Sequence, residues 1–67
     1  MKRFLRHVAT GQWLSQDGKL TDQFEQAEEI ASVEEAVDLC QRYRLKGMEI
    51  VLHFGPRSEV KIPIADY

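Results

Sequence analysis

Few side chains in this sequence carry the chemistry of a catalytic site. Cys40 is the only cysteine, and His7 and His53 are the only histidines. A nucleophilic cysteine needs a nearby base and an accessible, electropositive setting. Cys40 instead lies on the apolar side of a predicted helix, and no histidine is close to it in sequence. A cysteine in such a position is typically a small buried hydrophobic residue, so we predict no catalytic cysteine.

Glu49 and His53 share one face of a predicted strand, and His7 could lie on a neighbouring strand. Together they would resemble an acid–base or metal cluster. A closed zinc site needs four nitrogen or sulfur ligands, often in closely spaced pairs, and the sequence has no such pairs. It also has no Gly-rich phosphate loop and no nucleophile elbow. We therefore expect no metal, no cofactor and no enzymatic activity.

Trp13 and three basic residues form a second candidate group. The cations are Lys2, Arg3 and Arg6. An aromatic ring flanked by cations is an arrangement that binds single-stranded nucleic acid. The formal net charge of −2, from 9 basic and 11 acidic residues, opposes binding to a polyanion. A nucleic-acid-associated regulator that uses these four residues is therefore our second hypothesis.

Turn signals divide the chain into short elements. The patterns predict a helix at about 33–44 and strands at 3–9, 12–15, 48–54 and 59–64. Thr10–Gly11 and Asp17–Gly18 predict turns, the first of them joining a hairpin. Residues 20–31 fit two alternatives. Phe24, Ala27 and Ala31 have helical spacing behind Thr21 as a possible N-cap, but we favour irregular structure with a short strand at 29–31.

The helix is the element with the clearest signals. Ser32 and Glu35 have the spacing of a capping box, in which the serine accepts the Glu35 amide and the glutamate accepts the Ser32 amide. An apolar stripe follows at helical spacing: Val33, Ala36, Val37, Cys40 and Tyr43, with Leu39 beside it. Gly47 is predicted to stop the helix.

Alternating apolar residues set the faces of the C-terminal strands. One face would carry Met48, Ile50, Leu52 and Phe54, and the other Glu49, Val51 and His53. In the last strand Val60, Ile62 and Ile64 would point inward, and Pro63 would lie at a sheet edge or strand end because proline has no amide to donate. For the first strand the alternation leaves the buried face open.

The element order β-β-(β)-α-β-β predicts a two-layer α+β domain spanning residues 1–67. Its sheet would be mainly antiparallel, with one amphipathic helix on one face. The run Thr10-Gly11-Gln12-Trp13-Leu14, followed by Ala27, Ile30, Ser32, Glu35 and Ala36, resembles small bacterial and phage α+β modules that have no named family. The resemblance covers about the first half of the chain and implies no catalytic residue.

The short length points to a partner chain. A domain of this size buries only about 60% of its unfolded surface, and a single cysteine allows no intramolecular disulfide. We therefore expect a non-enzymatic protein–protein interaction module, either a homodimer or a subunit of a larger assembly. The expected contact residues are Trp13, Val51, His53, Lys61 and Pro63. The lone cysteine and the lack of a long apolar run indicate a cytoplasmic protein with no membrane partner.

Overall fold

The computed structural model describes residues 1–64, in which five strands and one α-helix form an α+β fold. The elements are β1 (Lys2–His7), β2 (Trp13–Leu14), β3 (Leu20–Thr21), a 3₁₀ helix (Phe24–Gln26), α1 (Val33–Arg42), β4 (Met48–Gly55) and β5 (Ser58–Pro63). The strands make one antiparallel sheet in the order β3-β2-β1-β4-β5. The predicted fold class is confirmed. Among these residues no helix has the length and apolar character needed to cross a membrane.

Two hairpins join the first three strands through residues 8–12 and 15–19. The predicted turn at Thr10–Gly11 joins β1 to β2, and the His7 amide donates to the Gln12 carbonyl at 2.7 Å. The predicted turn at Asp17–Gly18 joins β2 to β3. Gly18 has φ +80°, and a Cβ there would lie 2.6 Å from the Tyr43 ring, so the turn requires glycine for both its conformation and its space.

The optional third strand is β3, and the strand predicted at 29–31 is wrong. That segment makes single backbone hydrogen bonds rather than a ladder: the Ile30 amide donates to the Arg3 carbonyl at 2.7 Å. The side chain of Ile30 is buried in the core. Its apolar pattern therefore reflects burial of one residue and not strand pairing.

Helix α1 begins as predicted and ends earlier than predicted. The Ser32 hydroxyl accepts the Glu35 amide at 3.1 Å, but the Glu35 carboxylate accepts the Ala31 amide rather than that of Ser32. The helix ends at Arg42 because Arg44 turns left-handed, with φ +55°. The Leu45 amide then donates to the Cys40 carbonyl at 2.8 Å. This is a Schellman motif, so Gly47 does not stop the helix.

The main core lies between α1 and one face of the sheet. Its fully or almost fully buried residues are Leu5, Leu14, Ile30, Ala36, Leu39, Cys40, Met48 and Ile50. The predicted helix stripe is correct for Ala36 and Cys40, whereas Val33 and Tyr43 are exposed. Leu39, which was predicted beside the stripe, is buried. The side of α1 that faces the sheet is therefore the one that carries Ala36, Leu39 and Cys40. Burial of each leucine contributes about 1.5–3 kcal/mol.

Strand β5 lies at a sheet edge, and its apolar residues are less covered than predicted. Val60 and Ile62 pair with Leu52 and Ile50 and so share the helix-side face, yet they are 48% and 39% exposed. A helix is about 10 Å wide and strands are about 4.8 Å apart, so one helix covers about two strands. The inward burial predicted for these residues is therefore wrong. Pro63 is the last residue of β5, as predicted.

Candidate interaction surfaces

The sheet face opposite α1 is occupied by an aromatic cluster, defined here as Phe4, Trp13, Phe24 and His53. Phe24 comes from the 3₁₀ helix and lies over the other three rings. Its centroid is 4.9 Å from Phe4, 4.8 Å from Trp13 and 5.3 Å from His53. The Phe24 and His53 rings are stacked, with 17° between their planes. This face therefore has a small aromatic core of its own.

An ion pair joins β1 and β4 beside the aromatic cluster. Arg6 on β1 and Glu49 on β4 are direct partners, and the Arg6 Nε donates to Glu49 Oε2 at 2.7 Å. Both side chains are mostly buried. The Arg6 guanidinium also lies 5.3 Å from the centroid of the Trp13 ring, which is within the range of a cation–π contact. The charge of Arg6 is thus already compensated within the chain.

Sequence reasoning missed the role of Phe24. The sequence signals were its helical spacing with Ala27 and Ala31 and its place as an aromatic residue in a stretch, residues 17–40, with eight acidic residues and one lysine. The ring contacts come from strands that are distant in sequence, so no local pattern could assign them. Val51, predicted as a contact residue, lies on this face but is fully buried. Because its side chain is buried, Val51 is not available to contact a partner.

The two histidines do not come together. His7 pairs with Met48 and His53 pairs with Lys2, at opposite ends of the β1–β4 ladder. His7 Nδ1 lies 2.8 Å from the Thr10 hydroxyl. Within residues 1–64 no group of three His, Cys, Asp or Glu side chains is placed to hold a metal ion. The cluster considered from sequence, His7 with His53 and Glu49, does not form.

His53 connects the aromatic cluster to the sheet edge. Its Nε2 is buried and makes no hydrogen bond, but it lies 3.4 Å from Glu59 Oε2. Glu59 in turn lies 3.8 Å from the Lys61 ammonium. These polar side chains form a row on the face opposite α1, which passes from His53 on β4 to Glu59 on β5 and then along β5 to Lys61.

The residues of the nucleic-acid hypothesis are divided between the two faces. Trp13, Lys2 and Arg6 lie on the face of the aromatic cluster, since Arg6 pairs with Trp13 and Lys2 pairs with His53. Arg3 pairs with Leu52 on the helix side, where its guanidinium donates to the Ala31 carbonyl at 3.0 Å. Arg6 is engaged by Glu49. The four residues therefore do not form one basic surface.

Within residues 1–64 no strand pairs with the outer edge of β5. All six of its residues are exposed. Val60 and Ile62, here called the edge patch, are apolar, and the exposed ring of Phe54 follows at the end of β4. Lys61 and Pro63, predicted as contact residues, lie on the same strand. Of the five predicted contact residues, the structure places two on this edge and two, Trp13 and His53, in the aromatic cluster.

The strand at the opposite edge of the sheet is short, and polar contacts hold the turn that precedes it. Strand β3 has two residues. In the preceding turn the Ser15 hydroxyl donates to the Asp17 carboxylate, and this hydrogen bond is the main reason that the pKa of Asp17 lies below its ordinary value. An open depression of about 360 Å³ borders the turn. Its lining is polar: Ser15, Gln16, Asp17, Glu25 and Gln26.

Residues 1–64 form an α+β fold with one α-helix on a five-stranded antiparallel sheet. Comparison with protein-family profiles, curated proteins and solved structures finds no match. This agrees with a resemblance to modules that have no named family. The functional argument therefore rests on the surfaces of the chain itself.

Proposed function

We propose that this chain is a non-enzymatic protein–protein interaction module that binds its partner along β5. The observation that carries the proposal is the exposure of the whole strand together with its apolar residues. Val60 is 48% exposed, Ile62 39% and Phe54 56%. Exposed apolar side chains grouped on one edge are typical of an interaction surface.

The backbone of β5 supports the same conclusion. An edge strand has unpaired amides and carbonyls, and a partner strand satisfies them by extending the sheet. Proteins commonly block such edges with charged residues, proline or short strands. Strand β3 is short in this way. Strand β5 has six residues; its lysine and proline, Lys61 and Pro63, lie in the C-terminal half, and Glu59 is the other charged residue of the strand.

The face of the aromatic cluster gives less support for a contact role. Its rings are packed on one another and Arg6 is paired with Glu49, so Phe24, which is 41% exposed, is the main apolar group that this face offers. This arrangement also weighs against the nucleic-acid hypothesis. The partner we propose is another copy of the chain or a different protein of the cytoplasm, the compartment in which a single buried cysteine is commonly found.

Site-specific crosslinking in cells tests the proposal. A photo-crosslinking amino acid replaces Val60 in one variant, and in the matched control it replaces Glu25, which is exposed on the 3₁₀ helix. We expect a defined adduct from position 60 and none from position 25. The absence of an adduct at position 60, or equal yields from both positions, would show that β5 is not an interaction surface.

A further inference from the structure

We infer that the partner of β5 is a second copy of this chain, related by a two-fold axis that passes beside Val60. This inference rests on the proposed function and specifies its partner. The two β5 strands would pair antiparallel and join the two five-stranded sheets into one continuous sheet. Such an isologous contact uses the same strand from both copies and closes the assembly as a dimer.

The register within the chain determines which amides of β5 point outward. The Ile64 amide donates to the Met48 carbonyl at 3.0 Å, one step beyond the pair Pro63 and Glu49. Main-chain groups alternate between the two sides of a strand. The amides of Val60 and Ile62 therefore point toward β4, and those of Glu59 and Lys61 point outward. Pro63 also falls at an outward position.

Two of the three central registers are unfavourable. Directly opposed residues share a sheet face, so the two-fold axis must pass beside a residue and not between two residues. An axis at Lys61 would oppose two lysines, and like charges in that position destabilise a sheet. An axis at Ile62 would oppose Lys61 to Pro63, which has no amide to donate.

An axis at Val60 allows main-chain hydrogen bonds between the two strands and places opposite charges across from each other. Glu59 then lies opposite the partner's Lys61, and the partner's Glu59 lies opposite Lys61. Each of these pairs exchanges both of its main-chain hydrogen bonds, because both residues have outward amides and carbonyls. Each also opposes a carboxylate to an ammonium group. The sequence of β5 is thus complementary to itself in this register.

The same register covers the edge patch. Val60, which is exposed in the single chain, would pack against the partner's Val60 on the helix-side face. Ile62 would lie opposite the partner's Ser58. On the other face the opposed Glu59 and Lys61 side chains would extend the polar row that begins at His53. The outer edge of β5 is thereby covered by its copy.

Charge exchange across the two-fold axis tests this register. Light scattering and sedimentation over a concentration series should show a wild-type dimer that dissociates on dilution. E59K opposes like charges at both pairs, and K61E does the same, so each should weaken the dimer at least about tenfold. The double variant E59K/K61E restores opposite charges and should dimerise again. A mixture of the two single variants should form a heterodimer.

E25K is the matched control, because it makes the same charge change away from β5. It should leave the dimer constant unchanged. Circular dichroism of each variant confirms that a loss of dimer is not a loss of fold. An E59K variant that dimerises as tightly as the wild type would overturn the register at Val60. So would a double variant that stays monomeric while folded.

The outcomes for this inference and for the proposed function are distinct. A wild-type chain that is monomeric at every concentration overturns the self-pairing. If position 60 then crosslinks to a different protein, β5 is still the interaction surface and only the identity of the partner is wrong. If position 60 crosslinks to nothing, both proposals fall.

Discussion

The two strands that flank β4 have the same length and opposite environments. β1 and β5 each have six residues, and both pair with β4 over most of their length. β1 contains the buried residues Phe4 and Leu5, one on each face. All residues of β5 are exposed. Pairing with the same central strand therefore does not decide whether a strand belongs to the core.

What differs is the cover above and below the sheet. On the helix side, Leu5 packs in the cluster that includes Ala36, Leu39 and Cys40 of α1. On the other side, Phe24 lies over Phe4. Helix α1 packs against β4, and Phe24 lies over rings that come from β1, β2 and β4. The alternation of apolar residues in β5 is as regular as in β4, but neither element covers it.

The largest expected effect compares one apolar truncation on each flanking strand. Leu5→Ala should lower the free energy of unfolding by about 2–5 kcal/mol, because it leaves a cavity in the main core. Val60→Ala should lower it by less than about 1 kcal/mol, because a half-exposed side chain loses little burial. Urea unfolding at high dilution measures both in the monomer. Equal losses would contradict the difference in burial.

The next comparison removes a carboxylate of β4 that is paired with β1 and a carboxylate of β5. Glu49→Gln leaves the mostly buried Arg6 without its counter-charge and should destabilise the fold by about 1.5–3 kcal/mol. Glu59→Gln removes an exposed charge and should cost under about 1 kcal/mol in the monomer. The same unfolding measurement applies. A Glu49→Gln variant as stable as the wild type would show that the pair is only a surface contact.

The aromatic cluster gives an intermediate expected effect. Phe24→Ala should destabilise the fold by about 1–2 kcal/mol, since it removes ring contacts that are each typically about 0.5–1.5 kcal/mol. Phe54→Ala, on the β5 side, is the control and should be nearly neutral. Fluorescence of Trp13 reports the change directly, because its ring is 4.8 Å from that of Phe24. An unchanged emission spectrum in Phe24→Ala would contradict the contact.

The smallest expected effect concerns the β2–β3 turn. The Ser15 hydroxyl lowers the pKa of Asp17, so Ser15→Ala should raise that pKa toward its ordinary value. A lowered pKa in the folded state stabilises the fold above the unfolded-state pKa, and that stabilisation is lost as the pH falls through the folded-state value. Ser15→Ala should therefore lose less stability on acidification. An NMR titration of the Asp17 carboxyl measures the shift, with Ser58→Ala as the control.

Local signals predicted the parts of the fold that depend on neighbouring residues. The Ser32 cap of α1, both hairpin turns and the two faces of β4 were predicted correctly, because turn chemistry and strand alternation act over a few residues. The location of the third strand and the role of Phe24 were not, because both depend on contacts with β1, β2 and β4. The burial of Val51 and the exposure of Val60 depend on which elements cover the sheet.

The pairing of β1 with β4 also bears on the synthesis of the chain. Arg6 lies opposite Glu49, 43 residues later in sequence. The edge of β1 that faces β4 therefore stays unpaired until β4 has been synthesised. Such distant pairings form slowly. β5 is synthesised after β4, so its outer edge forms only when β1 and β4 are already present to pair with each other. Because synthesis proceeds from β1 to β5, the strand proposed to pair between copies emerges after the strands that it extends.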